Sequence, residues 1–281
     1  MAYASITKPG LHFNTKLYTG TGSSNAITGV GFQPDFTWIK SRNNGSNNNH
    51  MLFDAVRGAT KYVKSDQNSA ENTLAETLKS FDSDGFTVGT QGDVNTNSIN
   101  FVSWNWKASN STGSTNNDGS IATTVSVNTT AGFSIVKYKG NGTNGHQVPH
   151  HLGVSPSMTI IKRTSGTEDW IVQSATRGWD KRLILNTNNS EASHTDFISG
   201  VSTTTFTLQT NGSVNSNNED YIAYVFADKT GYSKTGSYTG NGNDDGTFVY
   251  TGFKPKLVIV KEAGASGNWI MKYDFIVNQN D

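Results

Sequence analysis

The stretch "DGFTVGTQGDVNTNSINFVSWNWKA" at residues 84–108 returns in outline as "TTFTLQTNGSVNSNNEDYIAYVFAD" at residues 204–228. Large apolar residues meet their like at an offset of 120: Phe86 with Phe206, Val94 with Val214, Phe101 with Tyr221, Trp104 with Tyr224, and Trp106 with Phe226. Within "FVSWNWK" these side chains alternate with small polar ones, which is the period of a β-strand. The pattern predicts two copies of one β unit, each with its aromatic strand in the core.

A second motif extends the repetition along the chain. Gly-x-x-Pro-x5-Lys occurs as "GFQPDFTWIK" at 31–40, "GVSPSMTIIK" at 153–162 and "GFKPKLVIVK" at 252–261. The β-branched run after each proline is typical of a buried strand that follows a turn. A third copy therefore begins near residue 235.

The predicted fold class is all-β, with tandem β-sandwich repeats of jelly-roll or lectin-like type and a short helix or loop insertion. The predicted organisation is an N-terminal arm (1–10), a β-sandwich called copy one (11–108), a polar linker (109–132), a second sandwich called copy two (133–228) and the incomplete copy three (229–281). The insertion is "DQNSAENTLAETLKSF" at 66–81, which predicts a loop or one to three helical turns because Leu74 and Leu78 are four residues apart.

Copy three lacks counterparts of the "DGFTVG" and "FVSWNWKA" strands. Half a sandwich would expose an apolar face formed by Leu257, Ile259, Ile270 and Phe275, together with unpaired strand edges. Our expectation is that the chain continues beyond Asp281, and the alternative is that another subunit supplies the missing strands.

The composition limits the choice of partners. Lys and Arg together number 22 and so do Asp and Glu, so there is no net field to attract nucleic acid. No apolar run approaches eighteen residues, and membrane insertion is not expected. The 14 Phe, 10 Tyr and 6 Trp supply enough apolar surface for a folded core.

Three glycine-rich segments resemble a phosphate-binding loop: "YTGTG" at 18–22, "YKGNG" at 138–142 and "YTGNG" at 238–242. Such a loop needs a helix directly after its glycines. Here turn residues and short strands follow, so we interpret the glycines as left-handed positions of a hairpin turn. No cofactor is predicted.

Other polar groups do not form a recognisable catalytic set. His146, His150 and His151 lie close together in "HQVPHH", but no carboxylate is near in sequence, and surface or turn positions are favoured over a metal site. Arg57 and Arg177 both precede glycine, and we expect a buried arginine that pairs with an aspartate or with carbonyl groups to fix a loop. No catalytic, cofactor-binding or metal-binding residue is predicted, and the protein is not expected to be an enzyme.

Four tryptophans do not recur in all of the copies. An exposed indole ring can stack against a sugar, so these residues are the candidate glycan contacts: Trp38, Trp170, Trp179 and Trp269.

The segments "NTKLYTGTG", "GVGFQPDFTWIKSR", "LFDAVRG", "TLKSFDSDGFTVG" and "NFVSWNWKA", in this order, resemble a repeat of tail-fibre-like and other virion structural proteins of marine bacteriophages. The resemblance covers copy one nearly end to end. Copy two departs from it, with "IVQSATRG" for "LFDAVRG" and "VFAD" for "NWKA".

The resemblance implies a structural component of a bacteriophage virion, either a tail-fibre-like appendage or a capsid-surface fibre, with its N-terminus towards the particle. It implies assembly in the host cytoplasm, a location in the extracellular particle, other virion proteins as partners, a homotrimer, and a role in host attachment through a host-surface glycan. The alternative is a carbohydrate-binding module or adhesin of a bacterial surface.

Overall fold

The computed structural model describes residues 4, 6–44 and 48–273. Its regular structure is almost entirely β and every strand pairing is antiparallel, which confirms the predicted all-β sandwich class. Copy one contains β1 (Phe13–Thr19), β2 (Asn25–Thr28), β3 (Phe36–Ser41), β4 (Met51–Asp54), β5 (Lys61–Lys64), β6 (Asn72–Thr73), β7 (Leu78–Asp82), β8 (Gly85–Val88), α1 (Gly92–Asn95) and β9 (Asn100–Trp106), after a 3-10 turn at Pro9–Leu11. The rest of the chain contains β10 (Ser114–Asn116), β11 (Thr123–Asn128), β12 (Phe133–Lys139), β13 (His146–Pro149), β14 (Met158–Arg163), β15 (Ile171–Ser174), β16 (Gly178–Ile184), β17 (Ala192–Ser193), β18 (Ile198–Val201), β19 (Thr205–Leu208), α2 (Gly212–Asn215), β20 (Asp220–Phe226), β21 (Leu257–Val260) and β22 (Ile270–Tyr273).

Copies one and two each contribute one large and one small sheet. The first large sheet has the strand order β1-β9-β3-β4-β5-β6, and the small sheet β2-β8-β7 covers one of its faces. The second large sheet has the order β10-β11-β12-β20-β14-β15-β16-β17, and β13-β19-β18 covers one of its faces. The uncovered faces of the two large sheets pack against each other, so four layers follow one another.

The central strand of each large sheet is buried on both faces. In β9, Phe101 packs towards its own small sheet, whereas Trp104 packs into the core between the two large sheets. In β20, Tyr221 packs towards the small sheet of copy two, and Tyr224 packs into the core between the two large sheets. The aromatic strands are therefore core strands, as predicted. The prediction that Trp104 and Tyr224 lie in separate cores was wrong, because they share the core between the copies.

The predicted polar linker at 109–132 is wrong. It contains β10 and β11, and β11 pairs with β12 along its whole length and widens the second large sheet. Val125 is buried and Val127 packs against the copy-two core, while Thr124, Ser126 and Asn128 alternate with them. The period of two was hidden by a composition dominated by small polar residues.

The helical interpretation of 66–81 is also wrong. The segment contains β6 and the start of β7. Leu78 is fully buried opposite Val88, but Leu74 is 42% exposed and its N–H bonds to the Thr60 carbonyl at 3.0 Å, so the two leucines do not share a helix face. Helical residues occur instead in α1 and α2, each capped by the side chain of the residue before it.

The glycine-rich segments are turns with the predicted left-handed residue. Gly22, Gly142 and Gly242 have φ values of 67°, 69° and 67°. The turn does not form a hairpin, because β1 and β2 belong to different sheets. A Cβ on Gly20 would lie 2.1 Å from the Thr96 carbonyl oxygen, so this position requires glycine.

Copy three contributes the two-stranded sheet β21–β22, which packs against the core between the large sheets. Leu257 and Ile259 are half-buried there, whereas Ile270 is 47% exposed, so this apolar face is only partly covered. Phe275 and Asp281 lie outside the described residues. Within those residues, no helix is long and apolar enough to cross a membrane.

Candidate functional site

A buried cluster of charges joins copy one to copy two. Arg57 Nε donates to Asp54 Oδ2 at 2.5 Å, and Arg57 Nη2 donates to the Leu52 carbonyl at 3.1 Å. Tyr224 of copy two donates its hydroxyl to the same Asp54 Oδ2 at 2.8 Å. Glu71 accepts from Arg57 Nη1 at 3.2 Å. This confirms the expectation for Arg57, which fixes a loop and also bonds across the interface.

The environment of the cluster shifts the pKa values of Arg57 and Tyr224. Burial opposes the charge of Arg57, but attraction to Asp54, Tyr224 and Glu71 raises its pKa overall. Burial raises the pKa of Tyr224 well above its usual value, with Asp54 adding to the effect. The hydroxyl therefore stays protonated and remains a donor. The arrangement holds a buried charge pair in place and fixes the Tyr224 hydroxyl as a hydrogen-bond donor to Asp54.

The matching arginine of copy two differs. Arg177 is exposed and forms a bidentate ion pair with Glu191. Its Nε donates to Glu191 Oε2 at 2.7 Å, and its Nη2 donates to Glu191 Oε1 at 2.9 Å. The hydrogen bond from Arg177 lowers the pKa of Glu191. Ser174 replaces Asp54 at the equivalent position, so the expectation of a buried arginine is wrong for Arg177.

A second join between the copies uses main-chain oxygens of copy one. Trp170 Nε1 donates to the carbonyls of Lys64 and Gln67 at 2.9 and 3.1 Å. The buried Lys162 Nζ donates to the Asn68 and Glu168 carbonyls at 3.2 and 2.9 Å. Burial lowers the Lys162 pKa to about 8, although the nearby acidic side chain of Glu168 opposes the shift.

The four candidate glycan tryptophans do not form one surface. Trp170 is fully buried and Trp38 is 4% exposed, so neither has the free ring face that stacking on a sugar requires. Trp269 is half-buried and its Nε1 donates to the Ile184 carbonyl at 2.9 Å. Trp179 is half-buried and packs against the copy-two core.

The three histidines of "HQVPHH" are in separate environments. His146 Nε2 lies 2.7 Å from the Asn141 amide, and His151 Nε2 lies 2.7 Å from Asp118 Oδ2. His150 is buried, which lowers its pKa to about 4. In the part of the chain that the structure describes, no three metal-ligating side chains come together.

A groove of about 1070 Å³ lies between copy one and copy three and is also lined by residues 185–188 of copy two. Its copy-one wall includes Trp104 and Arg42, and its copy-three wall includes Tyr273. The Tyr273 ring meets Trp104 edge to face at 5.6 Å, and Arg42 Nε donates to the Tyr273 hydroxyl at 2.8 Å. These contacts join the two walls of the groove.

All three copies meet at one apolar cavity of about 70 Å³. Trp38, Ile160 and Ile259 line it, and each is the seventh residue after the glycine of its Gly-x-x-Pro-x5-Lys motif. Equivalent positions of three consecutive segments therefore face a common centre.

Sequence reasoning missed the residues that join the copies. Asp54 and Tyr224 are 170 positions apart and no local pattern relates them. Glu71 was detectable in principle, because Glu191 lies 120 residues after it, which is the same offset that separates Arg57 from Arg177.

The model of a family described as a domain of unknown function, DUF7483, matches residues 8–279. The searches of curated proteins and of solved structures found no match.

Proposed function

From the architecture of this chain, which belongs to the DUF7483 family, we propose that it is a structural component of a bacteriophage virion and not an enzyme. In this proposal it forms a tail-fibre-like appendage or a capsid-surface fibre with its N-terminus towards the particle. It is assembled in the host cytoplasm and remains in the extracellular particle, where its partners are other virion proteins.

The proposal is carried by the position of the buried charged groups, which lie at the interface between copies one and two. Asp54, Arg57 and Lys162 are all buried, and their hydrogen bonds go to protein groups at the interface between copies one and two. Active sites need such groups at a cleft, where they can meet a substrate. In this chain the buried charged groups bond to other parts of the same protein and hold copies one and two together, which supports a structural role.

The exposed part of copy three supports contact with neighbouring proteins. Tyr238, Phe248 and Tyr250 are 52%, 86% and 74% exposed and lie within one segment of twenty-one residues, 236–256. Large side chains at this exposure mark interaction surfaces in soluble proteins. We propose that neighbouring virion subunits cover this segment, and that the assembled protein is a homotrimer.

Host attachment through a surface glycan is compatible with the same role, because a fibre that recognises a glycan is also structural. Trp179 is a candidate contact that is only half-buried and whose indole N–H has no partner role in the described joins between copies. A carbohydrate-binding module or adhesin therefore stays the second candidate, and it rests on this residue.

The test is mass spectrometry of gradient-purified phage particles. We expect the protein to sediment with intact particles after a high-salt wash and in a fixed copy number that is a multiple of three. The matched control is a lysate of infected cells passed through the same gradient without particles. Recovery only in the soluble fraction would refute the proposal.

A further inference from the structure

Asparagine–glycine pairs are positions at which a polypeptide chain can modify itself. The sequence contains five of them, at 44–45, 141–142, 144–145, 211–212 and 241–242. The main-chain nitrogen of the second residue can attack the side-chain amide of the asparagine, and glycine hinders the attack least because it has no Cβ. The product is a cyclic succinimide, and ammonia leaves. The groups around the amide therefore decide whether a given pair reacts.

Asn141–Gly142 lies in the glycine-rich turn after β12. The Thr143 N–H donates to Asn141 Oδ1 at 3.0 Å. Because an N–H group only donates, this bond fixes the amide oxygen towards Thr143 and turns Asn141 Nδ2 towards His146, whose Nε2 lies 2.7 Å away. The Asn141 N–H bonds to Asn215 Oδ1 at 3.0 Å and holds the turn in place. One end of the amide thus faces a hydrogen-bond donor and the other faces an imidazole.

The imidazole of His146 is positioned to accept a proton. Burial lowers its pKa, so the ring is neutral at neutral pH. Since Nε2 faces the N–H of an amide, it accepts this bond, and the ring proton is on Nδ1. His146 is only half-buried and Gly142 is exposed, so water reaches the turn. The turn therefore combines a base, a donor to the amide oxygen and access for water.

We propose that Asn141–Gly142 is a self-modification site, at which His146 is the catalytic base for succinimide formation. As the Gly142 nitrogen bonds to Asn141 Cγ, its proton passes to His146 Nε2, and the electrons of the C=O double bond move to Oδ1, where the Thr143 N–H stabilises them. Both nitrogens are bonded to Cγ in this intermediate, so a base beside Nδ2 is also beside the attacking nitrogen.

The second half of the reaction uses the same proton. The bond between Asn141 Cγ and Nδ2 breaks, Nδ2 takes the proton from His146, and ammonia leaves. Water then opens the succinimide at either carbonyl and leaves aspartate or isoaspartate at position 141. The net change is the replacement of an amide by a carboxylate beside His146, with no oxidant or reductant required.

Other pairs in the described part of the chain place different groups around the amide. The Gly145 N–H, which would attack Asn144, donates to the Leu208 carbonyl at 2.9 Å. Asn211 caps α2, and its Nδ2 donates to Asp196 Oδ2 at 2.8 Å. The first pair has its attacking nitrogen bonded elsewhere, and the second is held at the start of a helix.

Asn241–Gly242 is the matched internal control. It occupies the same turn in copy three, with φ values of 67° at Gly242 and 69° at Gly142. The Asn243 N–H donates to Asn241 Oδ1 at 3.1 Å, as in copy two. Asn241 Nδ2 donates instead to the Asp245 carbonyl at 2.9 Å, and a carbonyl does not take up and return a proton. The two turns therefore differ in the group beside the leaving nitrogen.

The experiment incubates the purified full chain at neutral pH, with and without denaturing guanidinium chloride, and follows both sites by peptide mapping with mass spectrometry. In the folded chain Asn141 should deamidate about tenfold or more faster than Asn241, because of the positioned base. Both sites have the sequence Gly-Asn-Gly, so their rates should become equal when the chain is unfolded. His146→Gln should lower the rate at Asn141 to that of Asn241 and leave Asn241 unchanged.

Two results would overturn the proposal. The first is a rate at Asn141 in the folded chain that is equal to or below that at Asn241, which would mean that the turn protects the amide. The second is an unchanged rate at Asn141 in His146→Gln, which would remove His146 as the base. If this variant does not fold, the comparison of folded and unfolded chain without any substitution decides. None of these results depends on whether the protein is found in particles.

Discussion

Replacing Arg57 with methionine should destabilise the protein far more than the same change at Arg177. Methionine keeps much of the length of the side chain and removes the charge. At position 57 this leaves the buried Asp54 carboxylate without its cation, although the Tyr224 hydroxyl still donates to it at 2.8 Å. Breaking a buried pair by removing one partner costs about 3–5 kcal/mol, and the retained hydroxyl bond places Arg57→Met near about 3 kcal/mol.

Arg177 is the matched control because it occupies the equivalent position. Its pair with Glu191 is partly open to solvent, with the arginine side chain 38% exposed. Exposed pairs contribute about 0–1 kcal/mol, so Arg177→Met should cost less than about 1 kcal/mol.

Urea denaturation followed by tryptophan fluorescence measures the difference in the free energy of unfolding, and thermal melts of the same variants measure the change in melting temperature. For a chain of this size the melting temperature should fall by roughly 6–12 °C for Arg57→Met and by roughly 0–4 °C for Arg177→Met. Equal losses for the two variants, within about 0.5 kcal/mol, would refute the claim that the Asp54–Arg57–Tyr224 cluster holds the copies together.

Three further predictions concern other parts of the chain. Trp104→Ala should cost about 3–5 kcal/mol in thermal melts because the side chain is 2% exposed, and an unchanged melting temperature would contradict its core position. Burial lowers the pKa of both His50 and His150 to about 4. The unfolded chain therefore binds more protons than the folded chain below pH 6.5, and the free energy of unfolding should fall as the pH drops from 6.5 towards 4. The decrease should be less than about 1.4 kcal/mol per pH unit for each histidine. Urea midpoints at pH 7 and 5 measure this, and His150→Gln should flatten the dependence; a parallel curve would exclude His150 as its source. Trp179→Ala should abolish any glycan-array binding without lowering the melting temperature by more than a few degrees, and retained binding would remove Trp179 as the contact.

Several elements could be predicted from the sequence because they are local. The alternation in β9 and β20, the left-handed glycines after Tyr18 and Tyr138, and the strand after each Gly-x-x-Pro motif all follow from spacing within a few residues. The periodicity of a strand identifies its two faces. It does not identify what covers each face.

That limit explains the main error about the core. The small polar residues that alternate with the aromatic ones in β9 include Ser103 and Asn105, which the strand period places on the face opposite Trp104, and both are fully buried. Asn105 Oδ1 accepts from the Thr37 hydroxyl at 3.1 Å, and its Nδ2 donates to the Asn14 carbonyl at 3.2 Å. Buried polar side chains with partners of this kind look identical in sequence to solvated ones.

The joins between copies were not predictable for a related reason. They depend partly on main-chain groups, such as the Asn68 carbonyl, which carry no sequence signal, and partly on side chains far apart in the sequence, such as Asp54 and Tyr224. The offset of 120 and the Gly-x-x-Pro-x5-Lys motifs are visible in the sequence, whereas the packing of these segments depends on which faces remain uncovered after each small sheet is in place.

The shared core between the two large sheets is the central claim, and segment-resolved native-state hydrogen exchange tests it most directly. If Trp104 of β9 and Tyr224 of β20 belong to one core, the slowest amides of the two strands should open with the same free energy, within about 0.5 kcal/mol, and should fall together in Arg57→Met. If copies one and two were independent domains, β9 and β20 would open with free energies that differ by more than about 2 kcal/mol, and Arg57→Met would weaken β9 alone.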